Sequence, residues 1–301
     1  MSYTTGVLLL AVVTALAAAL PGVFVVLRRD SMLVDAIAHA VFPGIVVGFF
    51  FTHDLDSPLL VIGAALAGLA VVLGSEWLSR TRLVGGDAPQ GLIFPALFSG
   101  GVILVTANFA HIHLDTHAVL VGDLNLAAFK IMKVNGVNIG PEYLYVMLSV
   151  LLLNVLAVVA LYPRLKVATF DSEFAQVAGL RTGPLGSVFM FLVALTVTAA
   201  FNAAGAILIL ALVIVPAAVA ALLTKHLGTM IGVTLLVAGV GAVAGFEMAY
   251  ALDVATSAGM SVFYGLIFAV AFAWVQVRKA MRRKRMHAGL DAGGEAAQVA
   301  A

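Results

Sequence analysis

An aspartate and a histidine, Asp35 and His39, lie four residues apart in the otherwise apolar stretch SMLVDAIAHAVFPGIVVGFF. In a helix this spacing puts both side chains on one face, one turn apart. A carboxylate oxygen and an imidazole nitrogen can bind one divalent cation, and the pair suits zinc, manganese or iron(II), whereas calcium and magnesium prefer oxygen ligands alone. A structural hydrogen bond between the two side chains would need the same spacing, so the pair alone leaves both interpretations open. Pro43 and Gly44 follow, and a helix break there would free carbonyls that need a cavity or a packed interior, which favours a pathway.

A second group of possible metal ligands lies in the stretch HIHLDTHAVLVGDLN. It offers four candidates within seven residues: His111, His113, Asp115 and His117. Such a cluster could collect metal at the outer mouth of a pathway, and the alternative is a solvated loop that is merely rich in histidine. Asp253 is a further candidate for an outer position, whereas Glu247 fits better as a side chain that reaches to the membrane interface.

The stretch DSEFAQVAG predicts a short helix with one apolar face. Asp171 fits the N-cap, Glu173 the first turn and Gly179 the position just after the helix. The apolar face consists of Phe174, Val177 and Ala178. Because a loop helix has no core of its own to cover that face, it would either lie on the membrane surface or dock onto a soluble partner.

The elements that carry these residues are predicted to be membrane-spanning helices. Hydrophobic residues make up 63% of the 301 residues and charged residues 10%, against about 45–50% and about 25% in ordinary soluble domains. Apolar runs of about 20 residues recur, which is the length that crosses about 30 Å of hydrocarbon. These runs lack the two-residue period of barrel strands, so we expect an all-α, polytopic fold. The absence of cysteine excludes disulfides and thiolate metal sites, and a net charge of +1 indicates no nucleic-acid partner.

Hydropathy predicts nine spans, at about 6–27, 31–51, 58–77, 89–107, 142–162, 183–202, 205–223, 229–250 and 258–277. The sixth and seventh meet with almost no loop, so one broken helix or a re-entrant pair, with eight crossings, is the alternative. Nearly all basic residues face the cytoplasm if the N-terminus lies outside and the C-terminus inside. Residues 1–280 would then form one transmembrane domain. The tail, 281–301, starts basic and turns rich in alanine and glycine, which predicts a disordered cytoplasmic segment whose basic part can lie against anionic headgroups.

Several of these stretches resemble the permeases of ABC importers for zinc, manganese and iron(II). SMLVDAIAHAVFPGIVVGF resembles the signature S-L-x-G-D-A-(I/L)-S-H-A-V-L-P-G, and FDSEFAQVAGL resembles the loop F-D-P-E-F-A-x-x-x-G. GAILILALVIVPAAVAALLT is similar to the span G-x-L-L-x-x-A-L-x-x-x-P-A-A-x-A, and LVGDLN and YALDVATSAG follow the family pattern in order. The resemblance covers nearly the whole chain except the tail. Val34 replaces the usual glycine, Ala38 a serine and Ser172 a proline, but these departures leave the ligand types unchanged.

The resemblance implies the permease subunit of a type II ABC importer, located in the bacterial cytoplasmic membrane and paired with a second copy or a close paralogue. A cytoplasmic ABC ATPase and an extracytoplasmic metal-binding protein would complete the complex. Asp35 and His39 would line the metal pathway. The loop at about 164–184 would contain a helix that couples to the ATPase, formed by Asp171, Glu173, Phe174, Ala175 and Gly179. The metal would be a transported substrate, with zinc favoured over manganese by the histidine-rich loop, and no permanently bound cofactor is expected.

Two other classes of protein can be compared with this expectation. The chain has no GxxxxGK[ST] phosphate loop, no HExxH and no GxSxG motif, so we expect no enzyme activity of its own and ATP hydrolysis by a separate subunit. A secondary, ion-gradient-driven divalent metal transporter of the cation-diffusion type is the alternative, because it also uses a carboxylate and a histidine at i and i+4. It would normally have six spans and a second ligand pair, and no such pair lies within a later predicted span.

Overall fold

The computed structural model describes residues 2–54, 57–108, 123–134 and 137–299. These residues form ten helices and one two-stranded hairpin, in the order α1 (Tyr3–Arg28), α2 (Ser31–Thr52), α3 (Pro58–Arg80), α4 (Ala88–Asn108), α5 (Leu124–Ala127), β1 (Ile131–Val134), β2 (Val137–Pro141), α6 (Glu142–Phe170), α7 (Ser172–Val177), α8 (Thr182–Leu223), α9 (Leu227–Ala251) and α10 (Thr256–Val299). Within the described ranges, eight helices are long and apolar enough to cross a membrane. The predicted polytopic helical fold is therefore confirmed.

Contacts between distant helices define the two ends of the bundle. At one end, the Tyr3 hydroxyl donates to the carbonyl of Asn125, and the Asn125 amide donates to the hydroxyl of Thr256. At the other end, the Arg28 Nε donates to the hydroxyl of Thr169. We call these the Tyr3 end and the Arg28 end. The sequence predicts that the Arg28 end faces the cytoplasm, and this orientation stays a prediction.

The helices α1 and α8 pack against each other and form the centre of the bundle. The first half of α8 is antiparallel to α1, because Phe189 packs edge-on against Phe24, whereas Thr196 lies level with Ala17. The side-chain amide of Asn154 in α6 bridges Ala17 and Thr196: it donates to the Ala17 carbonyl and to the Thr196 hydroxyl, both at 2.9 Å. A buried amide with these partners ties three helices together in the middle of the bundle.

The 42-residue helix α8 is interrupted at Gly205, whose φ of 72° and ψ of 171° are not helical. A side chain is poorly tolerated in this backbone conformation, which explains a glycine here. After the interruption, the carbonyl of Val213 contacts Gly22, which is further towards the Arg28 end than Ala17. A continuous helix would have carried Val213 in the opposite direction, so the chain turns back at Gly205. The predicted spans 183–202 and 205–223 are thus two antiparallel arms of α8 that meet at Gly205, and the number of membrane crossings stays a prediction.

Glycine also sets the distance between α2 and α3. A Cβ added to Gly44 would lie 2.5 Å from the carbonyl oxygen of Gly63, and one added to Gly48 would lie 2.7 Å from that of Leu59. Small residues at such positions let two membrane helices approach closely enough for their backbones to touch. The helix that carries Asp35 and His39 is therefore held against α3 along its second half.

Two features differ from the prediction. The hairpin of β1 and β2 falls where the sequence predicted a loop, and an ion pair of 3.2 Å between Lys130 and Glu142 closes its base. The tail predicted to be disordered continues α10 as a helix as far as Val299, beyond the membrane-crossing part that ends at Met281. Alanine and arginine are the most frequent residues of this segment together with glycine, and the high helix propensity of the first two favours a helix that extends the last span.

Candidate functional site

The side chains of Asp35 and His39 reach the surface from an otherwise buried stretch of α2. All residues of α2 between 33 and 44 are buried except these two. The side chains of Asp35 and His39 are 34% and 36% exposed. The rise of about 1.5 Å per residue places them about 6 Å and about 12 Å from the start of α2. They therefore lie in the half of the helix nearer the Arg28 end, not at its centre.

The two side chains are spaced as ligands of one ion would be. The Oδ1 of Asp35 and the Nε2 of His39 are 3.5 Å apart. Two donor atoms each about 2.1 Å from one ion, at a tetrahedral angle, would be about 3.4 Å apart. An N–H···O hydrogen bond would instead bring the atoms to about 2.7–3.2 Å. The separation is therefore longer than a typical hydrogen bond and compatible with a shared cation.

Pro43 adds a backbone oxygen to this neighbourhood. The helix α2 continues through Pro43 without a break, unlike the break that the sequence suggested. Proline has no N–H, however, so the carbonyl of His39, four residues earlier, loses its usual helical donor. One backbone oxygen without its helical partner thus belongs to the histidine itself.

Phe94 of α4 covers one face of the histidine and was missed by the sequence analysis. Its ring stacks on the His39 imidazole with the centroids 5.4 Å apart and an angle of 24° between the planes. One turn further along α4, Phe98 packs against Phe42 at 5.3 Å. A turn beyond that, a Cβ added to Gly101 would lie 2.7 Å from the Cβ of Pro43. The i, i+4, i+7 spacing of Phe94, Phe98 and Gly101 was the signal that could have predicted this face.

In the described part of the chain, Asp35 and His39 have no third candidate ligand beside them. Among the residues that the structure describes, no three His, Cys, Asp or Glu side chains come together as a metal-binding group. The predicted outer cluster His111, His113, Asp115 and His117 lies outside the described residues. Asp253, the other outer candidate, is exposed in the turn between α9 and α10, with a φ of 52°, and this turn is at the Tyr3 end, away from Asp35. The structure therefore does not bring Asp253 to the pair.

The short helix α7 has the local structure that the sequence predicts. The Asp171 carboxylate accepts a hydrogen bond of 2.8 Å from the N–H of Phe174, as an N-cap does. Gly179 follows with a φ of 80°, and the N–H of Leu180 donates to the carbonyl of Ala175, which closes the helix. Glu173 lies in the first turn. These residues form a well-capped helix of only six residues, Ser172–Val177, between α6 and α8.

The apolar residues of α7 are exposed, except for one. Phe174 is 60% exposed and Val177 88% exposed, whereas Ala175 is buried against the protein. Large apolar side chains this exposed at the end of a bundle indicate contact with another molecule or with lipid. The structure thus agrees with both alternatives that the sequence offered for this helix.

A polar cavity of about 270 Å³ lies at the Arg28 end, where α1, α2, α3, α4 and α8 meet. Glu76 of α3 accepts a hydrogen bond of 2.7 Å from the Ser187 hydroxyl of α8 and pairs with Arg80 at 2.6 Å. Asp30, which precedes α2, also lines the cavity. Burial raises the pKa of the Asp30 carboxyl, the nearby Arg28 opposes this effect, and Asp87 adds to it.

Side-chain contacts at the Arg28 end hold the segments on either side of α7. Arg28 donates to Thr169, two residues before Asp171, and its guanidinium lies over the ring of Phe189 at 5.2 Å. Glu76 holds Ser187, shortly after α8 begins. The segment that enters the short helix is therefore attached to α1, and the segment that leaves it is attached to α3, which packs on α2.

Comparisons with known proteins agree with this architecture. The ABC 3 transport family matches residues 1–275. The manganese transport system membrane protein MntD of Bacillus subtilis is 37% identical over 272 residues, 90% of this chain and 92% of that protein. The zinc transport system membrane protein TroD of Treponema pallidum is 38% identical over 280 residues, 93% of this chain and 76% of that protein. In the solved structure of PsaBC from Streptococcus pneumoniae in complex with Fab, one chain superposes with a TM-score of 0.73, at 24% identity, over 90% of this chain and 91% of that one. The polytopic membrane protein described here belongs to the ABC 3 transport family.

Proposed function

We propose that this chain is the permease subunit of an ABC importer that takes up a divalent transition-metal cation. A binding protein outside the membrane would deliver the cation, and a separate cytoplasmic ATPase would drive its passage. The observation that carries the proposal is the pair Asp35 and His39, whose donor atoms are 3.5 Å apart and which alone are accessible in a buried stretch of α2. The printed names of the relatives MntD and TroD, which refer to manganese and zinc transport, support the substrate class.

The site would bind the cation through partial replacement of its water shell. An anionic carboxylate and a neutral imidazole are acceptable ligands for zinc, manganese and iron(II) alike. With two protein ligands the ion keeps some water and is held weakly, as passage requires release as well as binding. A second copy of the chain related by two-fold symmetry would bring its own pair, giving two plus two ligands if the pairs face the axis.

The energy for transport would reach the bundle through α7. Its exposed apolar face would dock on the ATPase. The segments on both sides of α7 are attached to α1 and α3 through Arg28 and Glu76. A displacement of α7 would therefore be passed to α1 and α3, and α3 packs on α2. The side chains involved in docking would be Phe174 and Val177, with Asp171, Glu173, Ala175 and Gly179 maintaining the shape of the helix.

Metal uptake by reconstituted vesicles tests the proposal. Vesicles would contain the permease with its ATPase, and the binding protein loaded with Zn²⁺ or Mn²⁺ would be supplied together with ATP. We expect Asp35→Asn and His39→Gln each to abolish uptake while leaving membrane insertion and ATPase co-purification at wild-type levels. Glu247→Gln is the matched control, because it removes an exposed carboxylate from a different span and should transport normally.

Two outcomes would contradict the proposal. Wild-type uptake by both Asp35→Asn and His39→Gln would show that the pair does not line the pathway. Its role would then be a structural hydrogen bond. Uptake that proceeds without the ATPase and follows a proton gradient would instead support the secondary transporter.

A further inference from the structure

We propose that Phe94 of α4 is a positioning residue that holds the His39 imidazole in the orientation needed to bind the metal. The inference rests on the proposed role of His39 in the pathway and extends it to a helix without metal ligands of its own. The observation that carries it is the stack between the two rings, with centroids 5.4 Å apart and planes at 24°.

The stack fixes the direction of the ligand atom. The Nε2 of His39 faces the Oδ1 of Asp35 at 3.5 Å, and rotation about the Cα–Cβ and Cβ–Cγ bonds of the histidine would turn it away. The ring of Phe94 lies against the face of the imidazole, so a rotation that tilts the imidazole out of its present plane would have to break the stack. Phe94 thereby reduces the number of side-chain orientations that the metal must otherwise restrict when it binds.

The stack should also be stronger when a cation is bound. A metal ion on Nε2 withdraws electron density from the imidazole, and the negative face of an aromatic ring attracts a group that carries positive charge. Phe94 would therefore stabilise the metal-bound state more than the free state. That difference affects the affinity for metal, not only the packing of the helix.

The packing of α4 supports a local role for this contact. Pro89 and Gly101 are the only fully buried residues of α4, so this helix adheres to the bundle along a narrow stripe. Within the stripe Phe94 contacts the histidine, whereas Phe98 contacts Phe42. Two phenylalanines on one helix face, one turn apart, thus provide a test position and a control position with the same side chain.

Zinc uptake into vesicles that contain the permease and its ATPase, with Zn²⁺-loaded binding protein, measures the effect. Phe94→Leu keeps an apolar side chain but removes the aromatic face, and we expect the apparent KM for the loaded binding protein to rise about 3- to 10-fold, the range that corresponds to the loss of one aromatic stack. The maximal rate should change less than 2-fold. Phe94→Tyr restores an aromatic face and should return the KM to that of the wild type, and Phe98→Leu should leave it unchanged.

A second measurement reports on the ligand itself. Co²⁺ bound to the purified permease–ATPase complex in the absence of ATP has a visible absorption spectrum that depends on its ligands. We expect Phe94→Leu to weaken Co²⁺ binding by a similar factor, and Phe98→Leu to bind as the wild type does. Since no turnover occurs, a change in this assay separates ligand positioning from a slower conformational cycle.

Failure of this inference can be distinguished from failure of the proposed function. If His39→Gln abolishes uptake but Phe94→Leu has the wild-type KM and Co²⁺ affinity, Phe94 does not position the histidine and only the inference is overturned. A Phe98→Leu variant that raises KM as much as Phe94→Leu would also overturn it, because general packing of α4 would then be responsible. If His39→Gln transports normally, the pathway assignment fails, and the inference fails with it.

Discussion

Replacing Phe174 with alanine should detach the ATPase without destabilising the permease. Phe174 is 60% exposed, and a phenylalanine side chain can bury about 200 Å², so docking would cover about 120 Å² of its surface. At about 25 cal/mol per Å² this area corresponds to about 3 kcal/mol, or about 150-fold in the dissociation constant of the ATPase. The value falls within the range measured for buried aromatic anchors at interfaces.

Co-purification of the ATPase with the detergent-solubilised permease, followed by titration of the dissociation constant, measures this effect. We expect Phe174→Ala to lose the ATPase and metal uptake together, with the thermal unfolding temperature of the isolated permease unchanged because the side chain is exposed. Leu83→Ala is the matched control, since Leu83 is 82% exposed in the neighbouring loop between α3 and α4. Wild-type stoichiometry of the ATPase with Phe174→Ala would refute the docking role and favour a helix that lies on the membrane surface.

Two further predictions concern stability, measured by thermal unfolding in detergent. Gly44→Ala should lose about 1–3 kcal/mol of unfolding free energy, because its Cβ would lie 2.5 Å from a carbonyl oxygen of α3. Gly100→Ala is the control and should not be destabilised, because its Cβ would have no atom within 4 Å. Equal stability of both variants would contradict the close approach of α2 and α3. Asp30→Asn should be more stable than the wild type at neutral pH, because burial raises the pKa of this carboxyl above its ordinary 3.8 and its ionised form destabilises the fold. That advantage should shrink as the pH falls through the raised pKa and vanish below about pH 4, and a constant difference across the pH range would refute the cause.

The sequence determined the local features of this protein. Runs of about 20 apolar residues specify membrane helices because backbone groups must be hydrogen-bonded within the lipid, and these helices appear where hydropathy places them. The i, i+4 spacing puts Asp35 and His39 on one face whatever surrounds them. The capping residues Asp171 and Gly179 define α7 because their interactions involve only neighbours in the chain. The resemblance to the family likewise depended on short motifs in order.

Only the tertiary structure decided which surfaces of these helices meet. All the spans are similarly apolar, and lipid is as apolar as a leucine side chain, so hydrophobicity does not select partners among them; close packing of small residues and polar contacts do. Those contacts join distant positions: Val213 with Gly22, Ser187 with Glu76, and Phe94 with His39. Folding of α3, α4 and α8 around α2 therefore decided that its two possible ligands remain accessible, that one of them stacks on a phenylalanine, and that a polar cavity forms at the Arg28 end.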